Sequence, residues 1–241
     1  MRQIWTITKR ELNSFFDSLI AYIMMVAFLG FSGFFTWLYG GDIFFVGQAS
    51  LQTFFQIAFW TLFFFIPALT MRLFAEENRS GTIELLLTRP VTNWQVVVGK
   101  FLSTFILIGI ALALTLPYYI TVANLGNIDH GAVISGYIGL LLMSAAYISI
   151  GLFASSITNN QIVAFLIALF IGIFFHLICV VLAGSTGGAL SRFFNFLSMP
   201  NHFNSIARGV IDSRDLIYFL SIIFVGLVST EAVLAKRNVS K

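Results

Sequence analysis

The chain has 241 residues and a net charge of +3. Apolar residues make up 59% of it and charged residues 10%, against about 47% and about 25% in soluble domains, so a water-soluble globule would expose apolar patches large enough to aggregate. A charge so small and scattered argues against a nucleic-acid surface, and the single cysteine, Cys179, rules out an intrachain disulfide or a zinc cluster and reads as a small buried or lipid-facing hydrophobe.

Taken in chain order, Arg2, Lys9 and Arg10 resemble the charged start of a secretory signal, but Glu11 and Asp17 follow. The next apolar run is too long for a signal core of about 7–15 residues and no A-x-A-like cleavage site follows it. It is expected to remain as a spanning helix, with residues 1–18 before it. About 20 apolar residues in a helix cross a hydrocarbon core about 30 Å thick. Six windows qualify: Leu19–Tyr39, Leu51–Met71, Val96–Ala123, Ala132–Ser155, Gln161–Ala183 and Leu216–Ala235. They are apolar all round, with no polar face at helical spacing. An all-α membrane protein is predicted, one transmembrane domain over residues 1–241.

Arg2, Lys9, Arg10, Arg72, Arg79, Arg89, Lys100, Lys236, Arg237 and Lys241 fall on one side of these spans, and only Arg192, Arg208 and Arg214 on the other. That bias predicts that both termini and the segment from Arg72 to Lys100 are cytoplasmic. Pro117, inside the third window, is expected to bend it, either as a packing bend or as a gate hinge. Ala164, Ala168 and Gly172 form a small-residue stripe that fits a neighbouring helix or a dimer seam. His176 and Glu231 lie within spans, and intramembrane ionisable groups are candidate functional residues. The plainer reading is a hydrogen bond to a neighbouring helix for His176, and pairing with Lys236 or Arg237 for Glu231. Of 28 phenylalanines, many crowd span two; lipid contact and packing account for them without naming a substrate.

The stretch "AEENRSGTIELLLTRPVTNWQVVVGK", Ala75 to Lys100, interrupts the apolar pattern. It reads as two short helices around a break. Ile83, Leu86 and Leu87 make an apolar stripe beside Glu84, and Arg89-Pro90 ends the first helix. Thr92 and Gln95 then fit a capping box, with Val91 and Val96 as its staple. An apolar stripe facing the cytoplasm must be covered. Glu76, Glu77 and Glu84 would be repelled by anionic lipid, so a groove on a soluble partner suits it better than the bilayer surface.

This stretch resembles the signature loop of ABC-2 type transporter permeases, E-x-x-x-G-T-x-E-x-L-L-x-x-P-x-x-x-x-x-x-x-x-K, at Glu77, Gly81, Thr82, Glu84, Leu86, Pro90 and Lys100. The opening "MRQIWTITKREL" resembles the family's interfacial N-terminal helix, placing it over residues 1–18, and Met199 to Phe224 its outer loop. The narrower similarity is to the gliding-motility-associated ABC permease subunit of Bacteroidetes. The resemblance implies a bacterial inner-membrane permease with a cytoplasmic coupling helix in the loop 72–95. It also implies a separate cytoplasmic ABC ATPase that binds ATP and Mg, a second permease that is a copy or a relative, and contact with membrane lipids. Glu76, Glu77, Gly81, Thr82, Ile83, Glu84, Leu86, Leu87 and Pro90 would engage the ATPase. The sequence agrees in having no G-x-x-x-x-G-K-[ST]: Gly99-Lys100 lacks the upstream glycine and the Ser/Thr of a P-loop. No cofactor and no catalytic residue is expected in this chain.

The loop 184–215 is too long for a plain turn. Its Phe-rich stretch around Arg192, Phe193 and Phe194 suggests re-entrant or interfacial helices that close the outer mouth of a pathway, as in the family. Arg208, Asp212, Arg214 and Asp215 are read either as ion pairs bracing this gate or as solvated charges. Three rivals remain. An intramembrane enzyme lacks H-E-x-x-H and any paired intramembrane acid. An ion-coupled secondary transporter should show inverted repeats, which are not evident. A force-transmitting ABC subunit acting on an outer-face partner keeps the same architecture without transport.

Overall fold

Segments apolar on every side fold as helices in a bilayer, because only there does each backbone N–H and C=O find its partner within the segment. The computed structural model describes residues 2–38, 50–82, 91–210 and 212–239, the last three by backbone alone, and every regular element among them is helical. Helix α1 (Arg2–Asp17) turns at the extended residue Ser18 into α2 (Leu19–Trp37). Helix α3 (Gln52–Thr70) passes through a joint at Met71 into α4 (Arg72–Ser80). The third crossing is shared by α5 (Asn93–Ala113) and α6 (Leu116–Leu125), and α7 (His130–Ile157) is the fourth. The fifth joins α8 (Gln161–Ile173), a π-helical turn at Phe174–Ile178 and α9 (Cys179–Ser185). Two short helices, α10 (Gly188–Leu197) and α11 (Met199–Ala207), precede the last, α12 (Ser213–Val239).

Six helical stretches are long and apolar enough to cross a membrane, and each overlaps one of the six expected windows. The second departs most. It runs from Gln52 to Ser80, because α4 continues α3 where a cytoplasmic loop was expected. An even number of crossings brings α1 and the end of α12 to one side, the terminal end; α10 and α11 cap the other.

Span four is the hub. Of its apolar window 78% is buried, against 22–28% for spans one, five and six. Small residues permit this closeness. A methyl group added at Gly136 would collide with Phe55, and one at Gly151 with Thr70. The stripe Ala164, Ala168 and Gly172 is buried inside the chain, with Gly172 against Phe63 and Tyr147.

At Pro117 the helix is interrupted rather than merely bent. It stops at Ala113 and restarts at Leu116 with proline in the new first turn, where the missing N–H costs nothing. The intervening Thr115 donates its N–H (3.0 Å) and its hydroxyl (2.7 Å) to the Leu112 carbonyl, and that hydroxyl also meets Tyr137 Oη at 3.0 Å.

Candidate functional site

At the terminal end, three helices converge on one lysine. Helix α5 starts where expected: Thr92 Oγ1 accepts from the Gln95 N–H, and the Gln95 side chain accepts from the Thr92 N–H, closing the capping box. Val96 is buried and Val91 packs on the same core. Two turns on, Gly99 lies so close to α1 that an added methyl would strike Ile7, and its carbonyl accepts from Thr8 Oγ1 at 3.2 Å. The next residue, Lys100, therefore points into the junction of α1, α4 and α5 and is 1% exposed.

Lys100 Nζ donates to the Leu73 carbonyl and to Glu77 Oε1, both at 2.8 Å, and lies 3.4 Å from Glu11 Oε1. Its three N–H donors thus face three acceptors, which makes a buried ammonium tenable. Arg10 pairs with its neighbour Glu11 and reaches Glu77 Oε1 at 3.9 Å. Arg72 stacks over the Phe15 ring, 4.9 Å from its centroid, and donates to Ser18 Oγ at 3.4 Å. These side chains line an open cleft of about 470 Å³. Burial pushes the Glu11 carboxyl up, but the Lys100 ammonium and the Arg10 guanidinium outweigh it and hold the group below its usual 4.5. A carboxylate so depressed contributes stability that is present above the unfolded value and lost as pH falls through the folded one. The native chain should therefore lose thermal stability more steeply than an E11Q variant on acidification below about pH 4.5, as read by melting in detergent; superimposable pH profiles would refute the pairing.

Helix α4 is fixed from a second direction. Ser155 Oγ of α7 accepts from the Phe74 and Ala75 N–H groups at 3.0 Å each and donates to the Met71 carbonyl at 2.9 Å. A side chain from span four thus satisfies backbone groups where α3 breaks into α4. Asn78 Nδ2 adds bonds to the Ser156 and Thr158 carbonyls at 3.4 and 3.1 Å. The helix ends at Gly81, whose φ of 72° is the left-handed conformation glycine adopts freely at a helix C-terminus.

Of the residues the resemblance would assign to ATPase contact, Glu76 is exposed midway along α4 and Gly81 and Thr82 are exposed at its end, where Thr82 Oγ1 meets Ser80 Oγ at 2.8 Å. Glu77 is turned inward to Lys100 rather than out toward a partner. Ile83, Glu84, Leu86, Leu87 and Pro90 lie outside the described residues. Glu76 and Glu77 ride on the continuation of span two, ahead of the first short helix expected in this stretch.

The opposite end carries the two short helices expected from the loop composition. Helix α11 buries Met199, His202, Phe203 and Ile206, whereas α10 buries no residue. Arg192 and Phe193 are exposed and Phe194 half-buried. Arg208, Asp212 and Arg214 are exposed and make no ion pair among the described residues, which favours solvated charges for these three. Asp212 instead accepts from the Arg214 N–H at 3.0 Å and starts α12. The brace is one that sequence reasoning missed. His202 Nδ1 lies 2.6 Å from Asp215 Oδ1, its Nε2 donates to the Phe196 carbonyl at 2.8 Å, and its ring stacks on Tyr218 at 4.0 Å. Tyr218 Oη in turn donates to the Leu197 carbonyl at 2.6 Å. One histidine thereby joins α10, α11 and α12.

Midway between these ends, the π-helical turn sets His176 among Phe59, Trp60 and Phe63, with ring centroids 4.3–4.5 Å away, and its Nδ1 lies 2.7 Å from Tyr147 Oη. This matches the expected hydrogen bond to a neighbouring helix. Glu231 is half-buried with no ion pair among the described side chains; that of Arg237 is not described.

The chain is thus a polytopic helical bundle with a buried lysine tying its first helix to spans two and three and a helical cap at the far end. A family model described as ABC-2 family transporter protein matches residues 38–212, and the chain belongs to that family. It is accordingly a multi-pass permease subunit of an ABC transporter, in a family whose ATPase activity lies in a separate cytoplasmic subunit. No curated protein matches the chain.

Proposed function

We propose that this chain is the permease of an ATP-driven exporter in a bacterial inner membrane, with the terminal end in the cytoplasm and a second permease beside it. A separate ATPase binds ATP and Mg and docks on the segment that follows α4. Ile83, Leu86 and Leu87 enter a cleft of that ATPase, and Glu76 and Glu84 meet basic residues on its rim. Closure of the ATPase moves α4, and α4 moves spans two, three and four together. The work done is substrate export or a task in gliding motility, the latter supported by the resemblance to gliding-motility permeases.

One observation supports this reading above the others. Helix α4 is a rigid extension of span two, held by Lys100 of span three and by Ser155 of span four. The joint at Met71 is bridged by Ser155, so force applied at Gly81 reaches three spans through these side-chain bonds. The test is a Leu86→Asp variant co-expressed with the ATPase. An aspartate on the apolar stripe should abolish co-purification of the ATPase while membrane insertion and yield stay unchanged. Recovery of the ATPase at the native ratio would overturn the docking site.

A further inference from the structure

His202 stands between two oxygens. Its Nε2 lies 2.8 Å from the Phe196 carbonyl, which can only accept, so this nitrogen carries a hydrogen. Its Nδ1 lies 2.6 Å from Asp215 Oδ1. At that distance a bare nitrogen and a bare carboxylate would set lone pair against lone pair, so a second proton stands between them, on the ring or on the acid. A neutral histidine beside an ionised aspartate has one hydrogen for these two contacts. The closed pair therefore holds one proton more, as imidazolium with carboxylate or as imidazole with carboxylic acid.

Little else bears on its charge. On α12, Tyr218 stacks on the ring at 4.0 Å and donates to the Leu197 carbonyl, and Asp212 and Arg214 are exposed. Arg192 on α10 and Arg208 after α11 are also exposed, and none of these four makes an ion pair among the described residues. Cys179 of α9 is buried and faces Tyr218. The titratable side chains of α7 are engaged elsewhere, His130 with Tyr119, Tyr137 with Thr115 and Tyr147 with His176. What α7 and α3 turn toward α11 is apolar, Gly139 and Phe59 against Phe203. Asp215 Oδ2 is buried without a donor among the described residues, so the shared proton is what balances this carboxylate.

When that proton leaves, one contact has to break. A hydrogen bond to a carboxylate is about twice as strong as one to a neutral carbonyl. The remaining ring hydrogen stays with Asp215, and the Phe196 carbonyl is left facing a lone pair. Phe196 belongs to α10, which buries no residue. Besides the Tyr218 bond, α10 is tied by Ser191 Oγ to the Ala183 carbonyl at 2.7 Å and by Asn201 Nδ2 to Asn195 Oδ1 at 2.9 Å. Helix α11 has buried apolar side chains to hold it, so the loss falls on α10.

We propose that His202 and Asp215 form a proton-operated latch, which seats α10 against α12 while the pair holds its extra proton and frees α10 when that proton is lost. The latch belongs to the cap and does not depend on ATPase docking.

The test is hydrogen exchange of the full chain in lipid nanodiscs from about pH 5 to about pH 9, across the range in which histidine titrates, with each rate divided by the intrinsic rate at that pH. A released histidine gives up its proton above about pH 6.5. The closed pair binds one proton more than the released one there, so its share falls as pH rises, by up to about tenfold per pH unit. Protection over Gly188–Leu197 should show that loss, and protection over Asn93–Ala113 should not. Asp215→Asn offers an amide hydrogen to Nδ1 of the neutral ring, so the alkaline loss should disappear. His202→Phe, Asp215→Leu has no proton to release and should give a flat profile even if Asp215→Asn fails to fold. A flat native profile would overturn the latch, and so would the same alkaline loss in either variant.

Discussion

Lys100→Ala is expected to destabilise the fold by about 3–5 kcal/mol, the usual cost of removing one partner from a buried ion pair. The lysine is 1% exposed and meets the Leu73 carbonyl, Glu77 and Glu11 at once. Without it, Glu11 and Glu77 are left to the half-exposed Arg10 alone, 3.9 Å from Glu77 Oε1, and Glu77 Oε2 is already buried without a donor among the described residues. Glu77→Gln should cost less, since the amide oxygen still accepts from Nζ and Glu11 keeps its charge beside it. A Lys100→Met, Glu77→Met double variant should recover much of the loss, because replacing both members by apolar groups of similar volume is often neutral. Thermal melting and yield in detergent read all three. If the loss in the double variant equals the sum of the losses of Lys100→Met and Glu77→Met made singly, the residues are not coupled, and the lysine does not hold α1, α4 and α5 as one unit.

His202→Ala should loosen the far end without melting the bundle. Asp215 is 6% exposed and His202 8%; removal of the imidazole leaves the buried Asp215 side chain without its partner and takes the donor from the Phe196 carbonyl, at a cost of about 3 kcal/mol. That loss is local. Hydrogen exchange over Gly188–Ala207 should rise by orders of magnitude, while exchange over His130–Ile157 in span four stays slow. A His202→Phe, Asp215→Leu variant retains ring stacking on Tyr218 and removes the stranded charge, so it should restore most of the protection. Unchanged exchange of α10 and α11 in His202→Ala would mean that apolar packing of Met199, Phe203 and Ile206 alone holds the cap.

The six spans, the capping box at Thr92 and Gln95 and the presence of short helices in the loop 184–215 were legible in the chain, because each depends on composition or on residues within one or two turns of one another. The interruption at Pro117 was legible in position but not in kind. The neighbouring Thr115 lets the backbone stop and restart by supplying a hydroxyl to the orphaned turn, and Tyr137, which steadies it, comes from another helix. Counting Lys100 among loop charges served orientation, yet the residue is buried; no local feature of "VVVGKFL" says that Glu11, 89 positions earlier, lies 3.4 Å from it.

The amino-acid order by itself determined that this protein lives in a membrane, how many apolar helices it has to cross it and where the third of them is capped. Those outcomes follow from transfer of side chains out of water and from hydrogen bonds closed within a segment. Tertiary structure alone decided that α4 is welded to spans two, three and four and that His202 rather than an arginine clasps the cap. The physical reason is that a buried charge is settled by whichever helices happen to meet there, and in an apolar chain nearly every face is equally ready to meet.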